Sequence, residues 1–487
     1  MISPPWERQR LEEIIFWTSA GLSLTCALLA IWLEQYWLVG LPALPLAVYQ
    51  FVIQPRFYFW LLLALLPLSV EFYLGSVGTD LPTEPLMLLL SFYFIIHALY
   101  YWRNYASSFY RHPISLILIA HLSWLCFSSL FSEGPLVSLK FCLAKFWYVL
   151  PFFFLAGRLL DDRKRVRRMV WLIFIPLLFV AVQTLVRHAS FSFSFADQFR
   201  TMSPFMRNHV NYAAMLAAFA PWLAFLIWRQ PQKRWLWAAA AVWLIAVYFS
   251  YTRAAYVSLF LAGGSWWIIR RGWIKPLLLL GLVGLIGGSL YLLRNNKYLE
   301  YAPNFETTIA HDRFDNLISA TYKLEDISTM ERAYRWVAAG HMVPYHPWTG
   351  WGPGNFIFFY EGHTVRSFAT YVSDNPERSG IHNYLLMTLV EQGFPGLVLM
   401  LALLLGPLFY GQRAYLRKYK KYKTQASDAL REELAILMAA ILSVVIIDAF
   451  LLINDLLETD KIGALFFLNL AIIVNFSRSM PQRHLEV

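Results

Sequence analysis

The chain has 487 residues, 58% of them hydrophobic and only 15% charged, with a formal net charge of +11. A soluble globular protein carries about a quarter charged residues, whereas apolar runs of about 18 or more residues, the mark of membrane helices, recur here from end to end. That excludes a soluble protein, and the distribution of the basic excess, followed along the chain, calls for no nucleic-acid partner.

The N-terminal "MISPPWERQRLEEIIF" has no small-residue cleavage site after its first apolar run, so that run is expected to stay as a helix. The apolar runs predict an all-α polytopic membrane protein of about fourteen spans. They lie near 14–34, 37–53, 57–74, 85–101, 114–131, 136–157, 169–187, 208–228, 235–250, 254–269, 275–293, 382–410, 431–454 and 460–477. With the N-terminus inside, "RLLDDRKRVRR" (158–168), "RQPQKR" (229–234), "RRGWIK" (270–275) and "QRAYLRKYKKYK" (412–423) all face the cytoplasm. The opposite connections at 35–36, 71–84 and 131–135 hold no Lys or Arg, which is the positive-inside asymmetry. Four regions follow: N-terminal spans (1–187), central spans with the arginine motifs (188–293), one large helical external loop (294–381), and C-terminal spans (382–487). The loop mixes short helical patterns with Gly/Pro turns and is too aromatic for a disordered linker. Cys26, Cys126 and Cys142 sit in apolar segments without CxxC or metal spacing.

Polar residues at the outer mouths of spans are the candidates for chemistry. Arg207 in "SPFMRNHVNYAAML" and Arg253 in "YFSYTRAAYVSL" lie on the face that otherwise avoids positive charge. Each fits either an arginine snorkelling to headgroups or an ionisable group kept for function. His382 and Asn383 open the span in "SGIHNYLLMTLVEQGFPG". The pair suits helix capping, and the imidazole equally suits a general base. Together, Arg207, Arg253 and His382 share one depth, which suggests a site for a pyrophosphate and a proton transfer.

Other residues carry less. Arg335 in "ERAYRWVAAG" fits a packed loop helix stacked on Trp336, and Lys140 either snorkels or adds charge near the outer face. Lys145 interrupts the sixth span in the same way. Glu391 falls about 13 Å deeper than His382 on an unbroken helix, so "EQGFPG" reads as a kink and helix contact. "GWGPGNF" has the glycines of a phosphate loop but no Lys-Ser/Thr and no following strand, and reads as a turn. Asp448 and Asn454 suggest polar helix contacts, and Asp455 with Glu458 an outer loop. No Walker motif, HExxH, GxSxG or carboxylate-rich metal loop occurs, so neither a metal nor another cofactor is expected. An external enzyme cannot draw on cytoplasmic ATP, so its substrate must arrive already activated.

"YTRAAYVSL", "ERAYRWVAAG…HPWTGWGPGNF" and "GIHNYLLMTLVEQGFPGLVLML", in this order, resemble the signature region of the O-antigen ligase and polymerase superfamily of bacterial membrane glycosyltransferases. The resemblance covers about residues 200–410. It implies a bacterial inner-membrane protein acting in the periplasm on a glycan carried by undecaprenyl pyrophosphate. A ligase passes that glycan to a lipid A-core acceptor, and a polymerase passes it to another repeat unit. The family's arginines match Arg207, Arg253 and Arg335, and its loop histidine matches His382. The single dominant external loop favours a ligase over a polymerase. A transporter, the reading from another class, would place its polar residues near the bilayer midplane in related halves.

Overall fold

The computed structural model describes residues 50–51, 53–74, 77–101, 107–304, 308, 325–375 and 379–478, with isolated positions between 13 and 29. The expected spans 14–34 and 37–53 therefore lie almost wholly outside the described residues, as does most of "YAPNFETTIAHDRFDN". The chain divides into two units, 1–62 and 63–487. In the first, the Tyr58 ring meets Phe51 edge-on at 5.2 Å.

Helix α1, Pro55–Leu65, runs across the division and ends while the apolar run continues. Leu66–Leu68 forms a 3-10 turn around Pro67, which has no N–H to continue an α-helix. A hairpin follows: β1 (Val70–Leu74) pairs antiparallel with β2 (Val77–Leu81), Glu71 opposite Asp80. The expected span 57–74 is thus corrected, because its last five residues are strand.

Each expected span from there onward overlaps one helix. In chain order these are α2 (Thr83–Tyr100), α3 (Pro113–Ser129), α4 (Pro135–Leu159), α5 (Arg163–Ala189), α6 (His209–Arg229), α7 (Arg234–Tyr248), α8 (Arg253–Arg271) and α9 (Ile274–Leu293). After α10 (Ile327–Met342) come α11 (Tyr384–Thr424), α12 (Asp428–Leu451) and α13 (Asp460–Ser477). Among the described residues, eight helices are long and apolar enough to cross a membrane, and α1, α3 and α7 are shorter apolar ones. The chain is an all-α membrane protein in class, with one small hairpin.

Helix starts obey local chemistry. Asp162, Asn208, Asp326, Asn383 and Ser427 each accept a hydrogen bond from the backbone N–H three residues on. Such caps satisfy donors that a helix leaves unpaired. The centre is built by α6, α12 and α13, and α13 is buried along its whole length. Here Asn469 accepts from Trp222 Nε1 at 3.1 Å and donates to Ser443 at 2.8 Å, while Ser443 donates to the Ala218 carbonyl at 2.7 Å. Polar groups in apolar surroundings stay only when paired in this way. By contrast, α9 is exposed along nearly all of its apolar length, as a lipid-facing helix should be.

The "GWGPGNF" loop docks into the break in α11. Trp351 and Gly352 donate to the carbonyls of Val390 and Glu391, both at 2.9 Å. The Glu391 carboxylate accepts from the backbone N–H groups of Gly354 and Phe356 at 2.8 and 3.1 Å. Glu391 is therefore a structural clamp, and "EQGFPG" is the kink its sequence suggested. The break sits at Gly393 (φ 70°, ψ −173°), a region open essentially to glycine alone. A Cβ there would lie 2.2 Å from the Trp348 carbonyl oxygen. Gly393→Ala is expected to cost at least about 1–3 kcal/mol, seen as a lowered unfolding temperature of the purified protein. An unchanged unfolding temperature would show that the loop and α11 are not locked at this point.

Candidate functional site

Four chain segments meet near the heads of α8, α10 and α11. Arg253 opens α8, and its Nη2 donates to Asp326 Oδ2 at 3.1 Å. Asp326 also caps α10, accepting from the N–H and hydroxyl of Thr329 at 3.1 and 2.5 Å. One carboxylate therefore ties the two helix heads together. Arg332 and Arg335, three residues apart on α10, lie on one side of it. Arg335 donates to Glu331 at 3.4 Å, and Glu331 accepts in turn from Ser373 at 2.6 Å and from Thr370. Among the described residues, Arg332 donates only to Ser328, at 2.9 Å to its hydroxyl and 3.2 Å to its carbonyl.

Three guanidinium groups thus crowd together. Burial, and then the Arg253 charge, pushes Arg332 below the usual arginine range, with Asp326 opposing and Arg335 adding to the shift. Each group also keeps an unused donor: Arg253 Nη1, Arg332 Nε and Arg335 Nε are buried with no hydrogen-bond partner among the described residues. A buried donor left unmade costs about 1–3 kcal/mol, and more when charged. Such a cluster is complementary to an anion with several oxygens.

His382 stands beside these arginines. It holds a left-handed conformation, φ 55°, which histidine tolerates better than most residues. The segment is pinned from both sides: Trp336 Nε1 donates to the Ile381 carbonyl at 3.0 Å, and the His382 N–H donates to Asp455 Oδ2 at 2.9 Å. Capping falls to Asn383, whose side chain accepts from Leu386 N–H at 3.0 Å. The imidazole is therefore free of the helix-start duty that its position allowed. Burial, then the charges of Arg332 and Arg335, pushes it down to about 3. It is neutral at any physiological pH in the unliganded protein. Burial pushes Asp455 up to about 6, opposed by the backbone N–H groups of His382 and Asn383.

The remaining sequence candidates stand elsewhere. Arg207 is mostly exposed, and its one ion-pair partner among the described residues is Glu71 of the hairpin, at 4.0 Å. Two residues on, past the capping Asn208, it is His209 that lies within electrostatic reach of Arg332. Lys140 is exposed on α4 and forms no ion pair among the described residues. Lys145 is the buried lysine of that helix, paired with Glu458 and Tyr384. Trp336 bonds to Ile381 rather than stacking on Arg335, whose partner is Glu331. Sequence reading missed Arg332, Asp326 and the placement of Asp455. Only Arg332 left a signal, its three-residue spacing from Arg335. Among the described residues, no group of three or more His, Cys, Asp or Glu is placed to hold a metal ion. Asp312 and Asp315 lie outside the described residues.

No curated protein matches the chain. A family model described as O-antigen ligase matches residues 238–401, a stretch that contains Arg253, Arg332, Arg335, His382 and Asn383 but not Arg207. Over residues 238–401, the chain is therefore similar to the O-antigen ligase superfamily, the family that its sequence motifs resemble.

Proposed function

We propose that the chain is a membrane glycosyltransferase of the ligase type, acting on the periplasmic face of the bacterial inner membrane. It moves a glycan from undecaprenyl pyrophosphate to a hydroxyl of lipid A-core or a similar acceptor. The observation that carries this reading is the set of three guanidinium groups, each with one buried nitrogen that has no partner among the described residues, around a neutral histidine.

In this reading Arg253, Arg332 and Arg335 hold the donor's pyrophosphate, and Arg207 adds positive charge on the same outer face. Asn383 fixes the helix start that sets His382, and Lys140 is given no role. Burial holds the His382 imidazole down most, and binding the anion offsets the smaller part due to the Arg332 and Arg335 charges, so the imidazole rises from its unliganded value. The acceptor oxygen attacks the anomeric carbon while its proton passes to His382. The bond from that carbon to the pyrophosphate oxygen breaks, and the electron pair leaves on undecaprenyl pyrophosphate, stabilised by the arginines. Attack from the face opposite the leaving group inverts the anomeric centre.

Because guanidinium groups supply the counter-charge, transfer in a purified assay is expected to persist in excess EDTA. Loss in EDTA that a divalent ion restores would overturn the metal-independent reading. The product separates ligase from polymerase: glycan on lipid A-core marks a ligase, and longer undecaprenyl-linked chains mark a polymerase.

A further inference from the structure

We propose that the basic cavity between the ends of α5, α6 and α12 binds the phosphate headgroup of an anionic phospholipid. The cavity lies on the face where the sequence places its basic loops, away from the arginine–histidine cluster. It has a volume of about 370 Å³, and five cations and two carboxylates line it. That is room for about a dozen waters, or for a headgroup with more than one phosphate.

Its floor is one buried carboxylate, Glu432. It pairs with Arg167 at 2.7 Å, Arg163 at 3.4 Å and Arg229 at 3.6 Å, drawing together arginines from two helices. A guanidinium has five N–H donors, so each arginine keeps donors for a ligand after meeting Glu432. Lys164 and Arg431 complete the lining and form no ion pair with Glu432. Asp428 is the one other acid, which leaves the cavity clearly positive.

The aromatic surroundings favour a lipid over a soluble phosphate. Arg431 lies over the Trp228 ring at 5.3 Å, and Lys233 over Trp171 at 5.8 Å. Trp228, Trp235 and Trp237 are all exposed around the same helix ends. Exposed tryptophans in such a band sit at headgroup level, and basic pockets between membrane helices at that level take anionic headgroups.

The test uses the full-length protein in detergent with phosphatidylglycerol, phosphatidylcholine or inorganic phosphate added, and reads bound lipid by native mass spectrometry. Phosphatidylglycerol is expected to bind in preference to phosphatidylcholine. The double variant Lys164→Gln/Arg431→Gln should weaken that binding by about 30-fold, at about 1 kcal/mol per cation. Neither residue holds Glu432, so the variant keeps the cavity floor, and an unchanged unfolding temperature verifies its fold. Equal binding of the two lipids, or undiminished binding by the variant, would overturn the proposal. So would displacement of the lipid by equimolar inorganic phosphate, which would mark a soluble-phosphate site.

Discussion

His382→Ala is expected to lower turnover by about 10²–10⁴-fold, the usual contribution of a general base, while donor binding persists. The expectation rests on a division of labour between neighbours. Asn383 caps α11 through its own side chain, and the backbone of His382, not its ring, bonds to Asp455. Alanine therefore removes the imidazole and leaves both contacts. The pH profile adds a second check. In the unliganded site the imidazole is neutral down to about 3, so His382 should add no acid limb to kcat/KM between pH 8 and 5. The donor-loaded site, reported by kcat, should lose activity at a higher pH, because the bound anion raises the imidazole. Normal turnover in His382→Ala would return the ring to a packing role.

Arg253→Lys is expected to cost about 10²–10³-fold in turnover, the scale of losing one preorganised donor to a developing negative charge. Lysine keeps the charge but loses the fork, and the proposed grip on the donor needs both arms of Arg253. One nitrogen holds Asp326 at 3.1 Å, while Nη1 is buried and unpaired. An ammonium cannot serve both directions with the same geometry. Asp326→Asn is the control, since it loosens the tie between α8 and α10 while sparing the guanidinium. If Arg253 acts only by holding α10, the two variants should lose equal activity. If it grips the donor, Arg253→Lys should lose far more. Near wild-type transfer by Arg253→Lys would reduce its role to a general positive charge.

Much of this was legible in the sequence, for identifiable reasons. Apolar run length and the distribution of Lys and Arg located the apolar helices from α2 onward, α10 of the loop apart, because a bilayer fixes both length and flanking charge. Arg253 and His382 stood out as polar residues at span mouths, and the structure puts both beside α10. What escaped depended on tertiary contact. Arg332 looks like any surface arginine of an amphipathic helix until Arg253 and His382 are brought against it. Asp455 read as loop polarity, since a contact to a backbone N–H 73 residues away leaves no local pattern. The hairpin was hidden because Val70–Leu74 is as apolar as the helix before it, and only Pro67 marks the change. That hairpin supplies Glu71, the ion-pair partner of Arg207 among the described residues.

The most direct measurement is the affinity of the purified protein for undecaprenyl pyrophosphate, compared between the natural sequence and Arg332→Gln. Among the described residues, Arg332 donates only to Ser328 on its own helix, so glutamine removes a charged donor without unfastening the fold. A hydrogen bond to a charged group contributes about 1.5–3 kcal/mol, so affinity should fall about 10- to 150-fold. The unlabelled alcohol, undecaprenol, should bind both proteins equally weakly. Unchanged pyrophosphate affinity in a folded Arg332→Gln would contradict the three-arginine site.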